Sequence, residues 1–235
     1  MVSAAEGLAD LGGRLATVRR RIAAACQRGA RDPSTVRLVA VTKGQPAEIV
    51  RMAQRLGLDC FGENRVQEAQ TKIAQIEPRP SWHLVGHLQS NKVKLAARLF
   101  EVVHSVDRVE LVVRLERACA ESDRSLGVFV QLDLAGEATK FGAAPAELPA
   151  ILEALETAPH LEPHGLMTLP PLLEDLERVR PYFRKLRELL ERERGRFPRL
   201  GAELSMGMSH DFEIAIEEGA TYVRIGTALF GARAA

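Results

Sequence analysis

In AELSMGMSHDFEIAIEEGATYVRIG, residues 202–226, two short apolar runs flank a helical segment. AELSM (202–206) and TYVRIG (221–226) are strand-length and end in small or turn-forming residues, whereas 210–218 reads as a helix. A strand, a crossing helix and a second strand make a βαβ unit, and such a crossover sets the two strands parallel.

The same alternation recurs upstream. Apolar runs at 36–42, 58–62, 82–86, 100–106, 126–134 and 163–169 are separated by helical segments near 46–57, 64–76, 90–98, 107–122, 145–158 and 172–194. The runs are apolar throughout rather than alternating, as expected of strands covered on both faces. Eight strands in βαβ order, with no long linker, predict one (β/α)8 TIM barrel over 36–231. An open doubly wound sheet is the alternative. Residues 1–30 form an extra N-terminal helix, with Leu8, Leu11, Leu15, Val18, Ile22 and Ala25 on one face. Only TALFGARAA (227–235) follows the eighth run, too little for a full closing helix, so the N-terminal helix is expected to cover that part of the sheet.

The 235 residues are 46% hydrophobic and 27% charged, with a formal net charge of +1. That balance supplies no field to gather nucleic acid or an anionic membrane. Arg19–Arg21 and the Arg192, Arg194, Arg196 group read as solvated helix faces, the second interleaved with glutamates. Cys26, Cys60 and Cys119 are far apart, which argues against disulfides and zinc and for a reducing, cytoplasmic setting. The N-terminus has neither the pattern of a signal peptide nor that of a membrane span.

In a TIM barrel, functional groups sit at the C-terminal strand ends. Here those ends carry Lys43, Glu63–Asn64, His87, Met167–Thr168, the SMGMS run (205–209) and Gly226–Thr227. A lysine closing an apolar strand is costly to bury unless it is paired, neutralised or used. Ser205, Gly207 and Ser209, ahead of a helix, and Gly226 and Thr227, after the last strand, offer hydroxyls and backbone amides to an anion. Capping by Ser209 and turning by the glycines would account for the same residues without a ligand.

An amine facing a phosphate site across a barrel mouth suits a phosphorylated aldehyde held as a Schiff base. Pyridoxal 5′-phosphate is the leading candidate, with Lys43 as the amine and Arg224 directed at the ring nitrogen or the phosphate. A Schiff-base aldolase on a phosphorylated sugar would use the same two features.

AVTKG, FGENRVQEA, WHLVGHLQSNK, GLMTLPP and LSMGMSHDFEIAIEEGATYVRIGTALFG, in order from about 36 to 231, resemble the YggS/PROSC family of pyridoxal phosphate homeostasis proteins. The resemblance implies an alanine-racemase N-terminal-domain-like barrel and a covalent aldimine of the cofactor on Lys43. It also implies a part in vitamin B6 and amino-acid homeostasis without established turnover. The phosphate is expected against Ser205, Met206, Ser209, Gly226 and Thr227, Arg224 at the pyridine nitrogen, Asn64 beside the ring, and Met167 within the cofactor set. Pyridoxal-phosphate-dependent apoenzymes are the expected recipients, and the chain is expected to be a monomer or weak dimer. QLDLAGEATKFG (131–142) departs from the family pattern at Asp133 and Ala135 while keeping Lys140. Lys140 and Lys92 are the lysines that could offer a second site.

An arginine at the ring nitrogen can only donate, which leaves that nitrogen unprotonated and weakens the electron sink. Racemases of this kind add a second base from an appended β domain, for which 235 residues leave no room. A carrier is therefore expected over the alternative, a small pyridoxal-phosphate-dependent racemase or lyase. No catalytic residue and no metal ligand is assigned. His83 and His87 read as strand packing rather than a metal pair, His104 as a core histidine, Trp82 as core, and Glu63 as the partner of a cation near the mouth.

Overall fold

The computed structural model describes residues 4–136 and 141–231. After the N-terminal helix α1 (Ala4–Arg28), strands and helices alternate: β1 (Arg37–Val41), α2 (Ala47–Arg55), β2 (Cys60–Glu63), α3 (Val66–Ile73), β3 (Ser81–Leu84), α4 (Val93–Leu99), β4 (Val102–Val106) and α5 (Val109–Ala120). The second half runs β5 (Leu126–Leu132), α6 (Leu148–Glu156), β6 (Leu161–Thr168), α7 (Arg180–Arg194), β7 (Glu203–Met208), α8 (Phe212–Glu217), β8 (Tyr222–Ile225) and α9 (Thr227–Phe230). All eight strands pair in parallel in sequence order, and β1 closes on β8 in the register Arg37↔Tyr222 to Ala40↔Ile225. That pairing removes the open-sheet alternative.

Strand alternation divides the core in two. Val39, Val41, Cys60, Val85, Val102, Phe129, Met167 and Tyr222 pack inside the barrel. The residues between them, among them Ala40, Phe61, Trp82, Leu84, Val103 and Val128, pack outward against the helices. Burial on both faces explains why the strands carry no polar alternation.

The helix expected over 172–194 is instead a 3₁₀ turn at Leu176–Val179 followed by α7, and Leu172 is 84% exposed. Pro181 suits the first turn of α7, where its missing N–H costs nothing. The helix expected over 90–98 likewise opens with a 3₁₀ turn at Ser90–Lys92.

α1 lies against α8 and α9. Arg21 pairs with Glu213 at 2.6 Å and covers the Phe212 ring, and Arg28 pairs with Glu217 at 2.6 Å. Arg31, just past α1, donates to the carbonyls of Ile216 (2.8 Å) and Ala220 (2.7 Å). In the second arginine group, Arg192 and Arg196 grip the fully buried Glu193 at 2.7 and 3.0 Å, so these two do more than solvate a helix face. Among the described residues no helix is long and apolar enough to cross a membrane.

Candidate functional site at the barrel mouth

β1 points Val39 and Val41 into the barrel, and the same alternation carries the Lys43 side chain onto the wall of a cavity at the C-terminal strand ends. Between them Thr42 faces outward. Its hydroxyl donates to Glu63 Oε1 (2.7 Å) and its carbonyl accepts from Lys72 Nζ (2.7 Å). Lys72, from α3, also pairs with Glu63, and both side chains are buried. Burial pushes the Glu63 carboxyl up, and the Lys72 charge pulls it back. Gly44 turns the chain away at φ 71°, and its amide donates to Glu68 Oε1 at 2.5 Å. The cation expected beside Glu63 is therefore Lys72, behind the strand rather than in the mouth.

The cavity, about 260 Å³, is lined by Lys43 and Asn64 after β1 and β2 and by Ser209, Gly226 and Thr227 after β7 and β8. Arg224 also lines it although the residue is only 4% exposed. One guanidinium nitrogen donates to Ser205 Oγ (2.5 Å), the other to the Thr168 carbonyl (2.9 Å). Burial lowers Arg224 to about 10, a value that still leaves it charged at neutral pH. Val41, Val85, Leu169 and Phe230 supply apolar walls.

Ser209 does not cap α8. Its oxygen accepts from the amides of Gly226 (3.3 Å) and Ala228 (3.2 Å), tying the loop after β7 to the loop after β8. Asp211 instead accepts from the Met208 amide at 2.6 Å, and burial raises its carboxyl. Asn64 is held by a close backbone approach: a Cβ on Gly86 would lie 2.3 Å from its carbonyl oxygen and 2.7 Å from its Cα.

Of the nine residues expected at the site, Lys43, Asn64, Ser209, Arg224, Gly226 and Thr227 share this wall. Three do not. Met167 is buried in the barrel interior. Met206 packs in the outer layer, because residues 205 and 206 of a strand face opposite ways, so its side chain cannot meet a phosphate in the mouth. Ser205 is buried with its hydroxyl bonded to Arg224 and His104, a support for the arginine rather than part of the wall. Asp133 accepts from the amides of Ala135 and Gly136 in a local turn, away from the cavity. Lys140 lies outside the described residues. Lys92 lines a neighbouring depression with Arg65, His87 and Phe141.

Residues not expected at the site are the apolar walls together with Gln45, Met208, His210 and Gly231. Val41 is legible in the sequence, since it lies two residues before Lys43 on the same segment and shares its face. Among the described residues no cluster of three His, Cys, Asp or Glu side chains could hold a metal ion.

The alanine racemase N-terminal domain family matches residues 14–234. A protein of Pseudomonas aeruginosa named pyridoxal phosphate homeostasis protein is 47% identical over 221 residues, 93% of this chain and 94% of its own. Its namesake in Aquifex aeolicus is 42% identical over 221 residues, covering 94% and 97%. Among solved structures, PipY of Synechococcus elongatus with PLP bound superposes with a TM-score of 0.85 at 38% identity, over 94% of this chain and 100% of that one. By this likeness along nearly its whole length, the chain belongs to the pyridoxal phosphate homeostasis proteins, a family built on the alanine racemase N-terminal domain.

Proposed function

We propose that the protein binds pyridoxal 5′-phosphate in the barrel-mouth cavity, attached covalently at Lys43, and serves intracellular vitamin B6 and amino-acid homeostasis without catalytic turnover. The observation that supports the reading is the cavity lining itself, which gathers a lysine, a buried guanidinium and the hydroxyl-bearing Ser209 and Thr227 in one cavity. The donor set fits the group. Two cations and no carboxylate line the cavity among the described residues, so a phosphate dianion meets no like charge there. The volume lies near the lower end of small-molecule sites, about 300 Å³, and suits one compact ring between Val41, Val85 and Leu169.

When bound, the cofactor supplies an aldehyde that condenses with an amine and a ring that takes up electron density. Lys43 holds the amine at the wall. The hydroxyls of Ser209 and Thr227 hold the phosphate, Ser209 being fixed as a donor because its oxygen accepts from the amides of Gly226 and Ala228, and the apolar walls keep water from the ring faces. Arg224 donates to the ring nitrogen and has no proton to surrender at neutral pH, so the ring is a weak electron sink. That favours holding the cofactor over turning over amino acids. Apoenzymes that need the cofactor are the proposed recipients. Three buried free cysteines fit a cytoplasmic setting.

The test is to incubate the purified protein with pyridoxal phosphate, record its visible spectrum, reduce with borohydride and map the modified peptide by mass. A visible band and a pyridoxyl group on Lys43 are expected. Modification of another lysine would overturn the site, and no uptake would overturn the function. Steady release of product from amino acids would move the racemase or lyase reading forward.

A further inference from the structure

Below the mouth, the barrel interior departs from the branched apolar filling usual in this fold. His83 and His104 lie there, 1% and 0% exposed, among Phe129, Val102 and Tyr222. Burying two imidazoles is costly unless their nitrogens are bonded. All four are. His83 Nδ1 and His104 Nε2 are 2.9 Å apart, and His104 Nδ1 is 2.7 Å from Ser205 Oγ. Ser205 Oγ in turn takes the Arg224 donor. At the far end His83 Nε2 meets Ser81 Oγ at 3.2 Å and Cys60 Sγ at 3.5 Å.

The direction of this file follows from its first member. A guanidinium can only donate, so Ser205 accepts from Arg224 and its own O–H is left to donate. Among the described residues the acceptor within reach of that hydroxyl is His104 Nδ1. His104 is then neutral with its proton on Nε2, and it donates to His83 Nδ1. His83 carries its proton on Nε2 and donates toward Ser81 and Cys60. The opposite order would leave the Ser205 proton without an acceptor. Burial also keeps both rings neutral, with His83 pushed down to about 3 and His104 well below its ordinary value.

We propose that His104 and His83 are positioning residues: acting through Ser205, they fix the plane of the Arg224 guanidinium and aim its remaining N–H groups into the mouth cavity. This rests on the reading of that cavity as the pyridoxal phosphate site. Without the file, Ser205 could rotate, Arg224 would keep only the Thr168 carbonyl as a fixed partner among the described residues, and the guanidinium would no longer be set before the ligand arrives.

Three measurements decide it. In ¹⁵N NMR of the ligand-free protein, His104 Nδ1 should show the shift of an unprotonated nitrogen and Nε2 that of a protonated one; the reverse tautomer would overturn the file. With pyridoxal phosphate as the probe, His104→Leu should raise Kd about tenfold, the scale of one hydrogen bond to a charged group, and move the visible band. His104→Asn places an acceptor near Nδ1 and should recover most of the affinity and the band position. Equal Kd and spectra for wild type and His104→Leu would overturn the proposal, as would His104→Asn behaving like His104→Leu. If His104→Leu does not fold, the tautomer measurement on the wild type still decides. Failure of the wild type to take up pyridoxal phosphate would sink the underlying site and leave the tautomer test standing.

Discussion

Replacing Lys72 by methionine keeps its stem and removes its charge from beside Glu63. Glu63 is fully buried and Lys72 is 5% exposed, so water cannot replace the lost partner. Among the described residues Glu63 Oε2 already has no hydrogen-bond partner, and only the Thr42 hydroxyl would remain on Oε1. Breaking such a pair from one side costs about 3–5 kcal/mol. The structure also sets a ceiling, because Glu63 can escape by taking up a proton. From an ordinary value of 4.5 to pH 7, that escape costs about 3.4 kcal/mol at 1.36 kcal/mol per unit. The Thr42 carbonyl loses its donor as well, about 1 kcal/mol that does not vary with pH. The expected loss at pH 7 is therefore about 4 kcal/mol, or a Tm lower by about 8–16 °C for a chain of this size.

The sign of the pH dependence is the sharper test. In the variant the folded pKa of Glu63 lies above its unfolded value, so the folded state binds a proton that the unfolded state releases. The extra loss is absent below the unfolded value of about 4.5, grows as pH rises through the window, and levels off above the folded pKa. Urea denaturation of wild type and Lys72→Met at pH 5 and pH 7 should show the deficit shrinking by roughly 2 kcal/mol at the lower pH. Adding Glu63→Gln should abolish that pH dependence. A deficit that is the same at both pH values, or below about 1 kcal/mol at pH 7, would refute the assignment of Glu63 as a charge held by Lys72.

Gly86→Ala should displace Asn64, since the added Cβ meets the Asn64 carbonyl at 2.3 Å; weaker pyridoxal phosphate binding and a lower Tm are expected, whereas Gly13→Ala, with nothing within 4 Å, should raise stability by about 0.5–1 kcal/mol. Arg31→Ala should cost about 2 kcal/mol by stripping the donor from the Ile216 and Ala220 carbonyls, read as a lower Tm together with faster proteolysis within α1.

The eight strands could be read from the sequence because each is a short apolar run ended by turn residues, and neither face of a strand needed a polar partner. Closure could not be read locally. It rests on β1 pairing with β8, contacts such as Arg37 with Tyr222 across 185 residues of chain. Lys43 stood out because a charge ends an apolar strand, and Ser209, Gly226 and Thr227 because small residues repeat at two strand ends. The Met206 side chain follows strand parity: residue 205 faces inward, so residue 206 packs in the outer layer. The bonding of Ser205, by contrast, is not legible in the sequence. Its part is set by His104, 101 residues away on another strand, and nothing near it in sequence signals that histidine. The start of α7 was placed too early because 172–179 is apolar enough to look helical while Pro170, Pro171 and Pro181 decide otherwise.

Lys43 and Arg224 are supported from opposite sides of one sheet, and the reason lies in what the cavity must accept. Two cations on one wall repel each other, and the simplest remedy is a carboxylate between them. A carboxylate there would also repel a phosphate and compete for both cations. Among the described residues the carboxylates stand outside the cavity lining: Glu63 and Glu68 with Lys72, and Asp211 bonded to the Met208 amide. The support inside the barrel is neutral, two imidazoles and a serine, which orient Arg224 without cancelling its charge. The two supports share no residue, so Lys72→Met and His104→Leu should add in stability. They should differ in what else they change, the first disturbing the Thr42–Lys43 backbone and the second the guanidinium. A mouth built this way orients Arg224 through neutral partners and keeps the described carboxylates out of the cavity lining, so an incoming anion meets no like charge there.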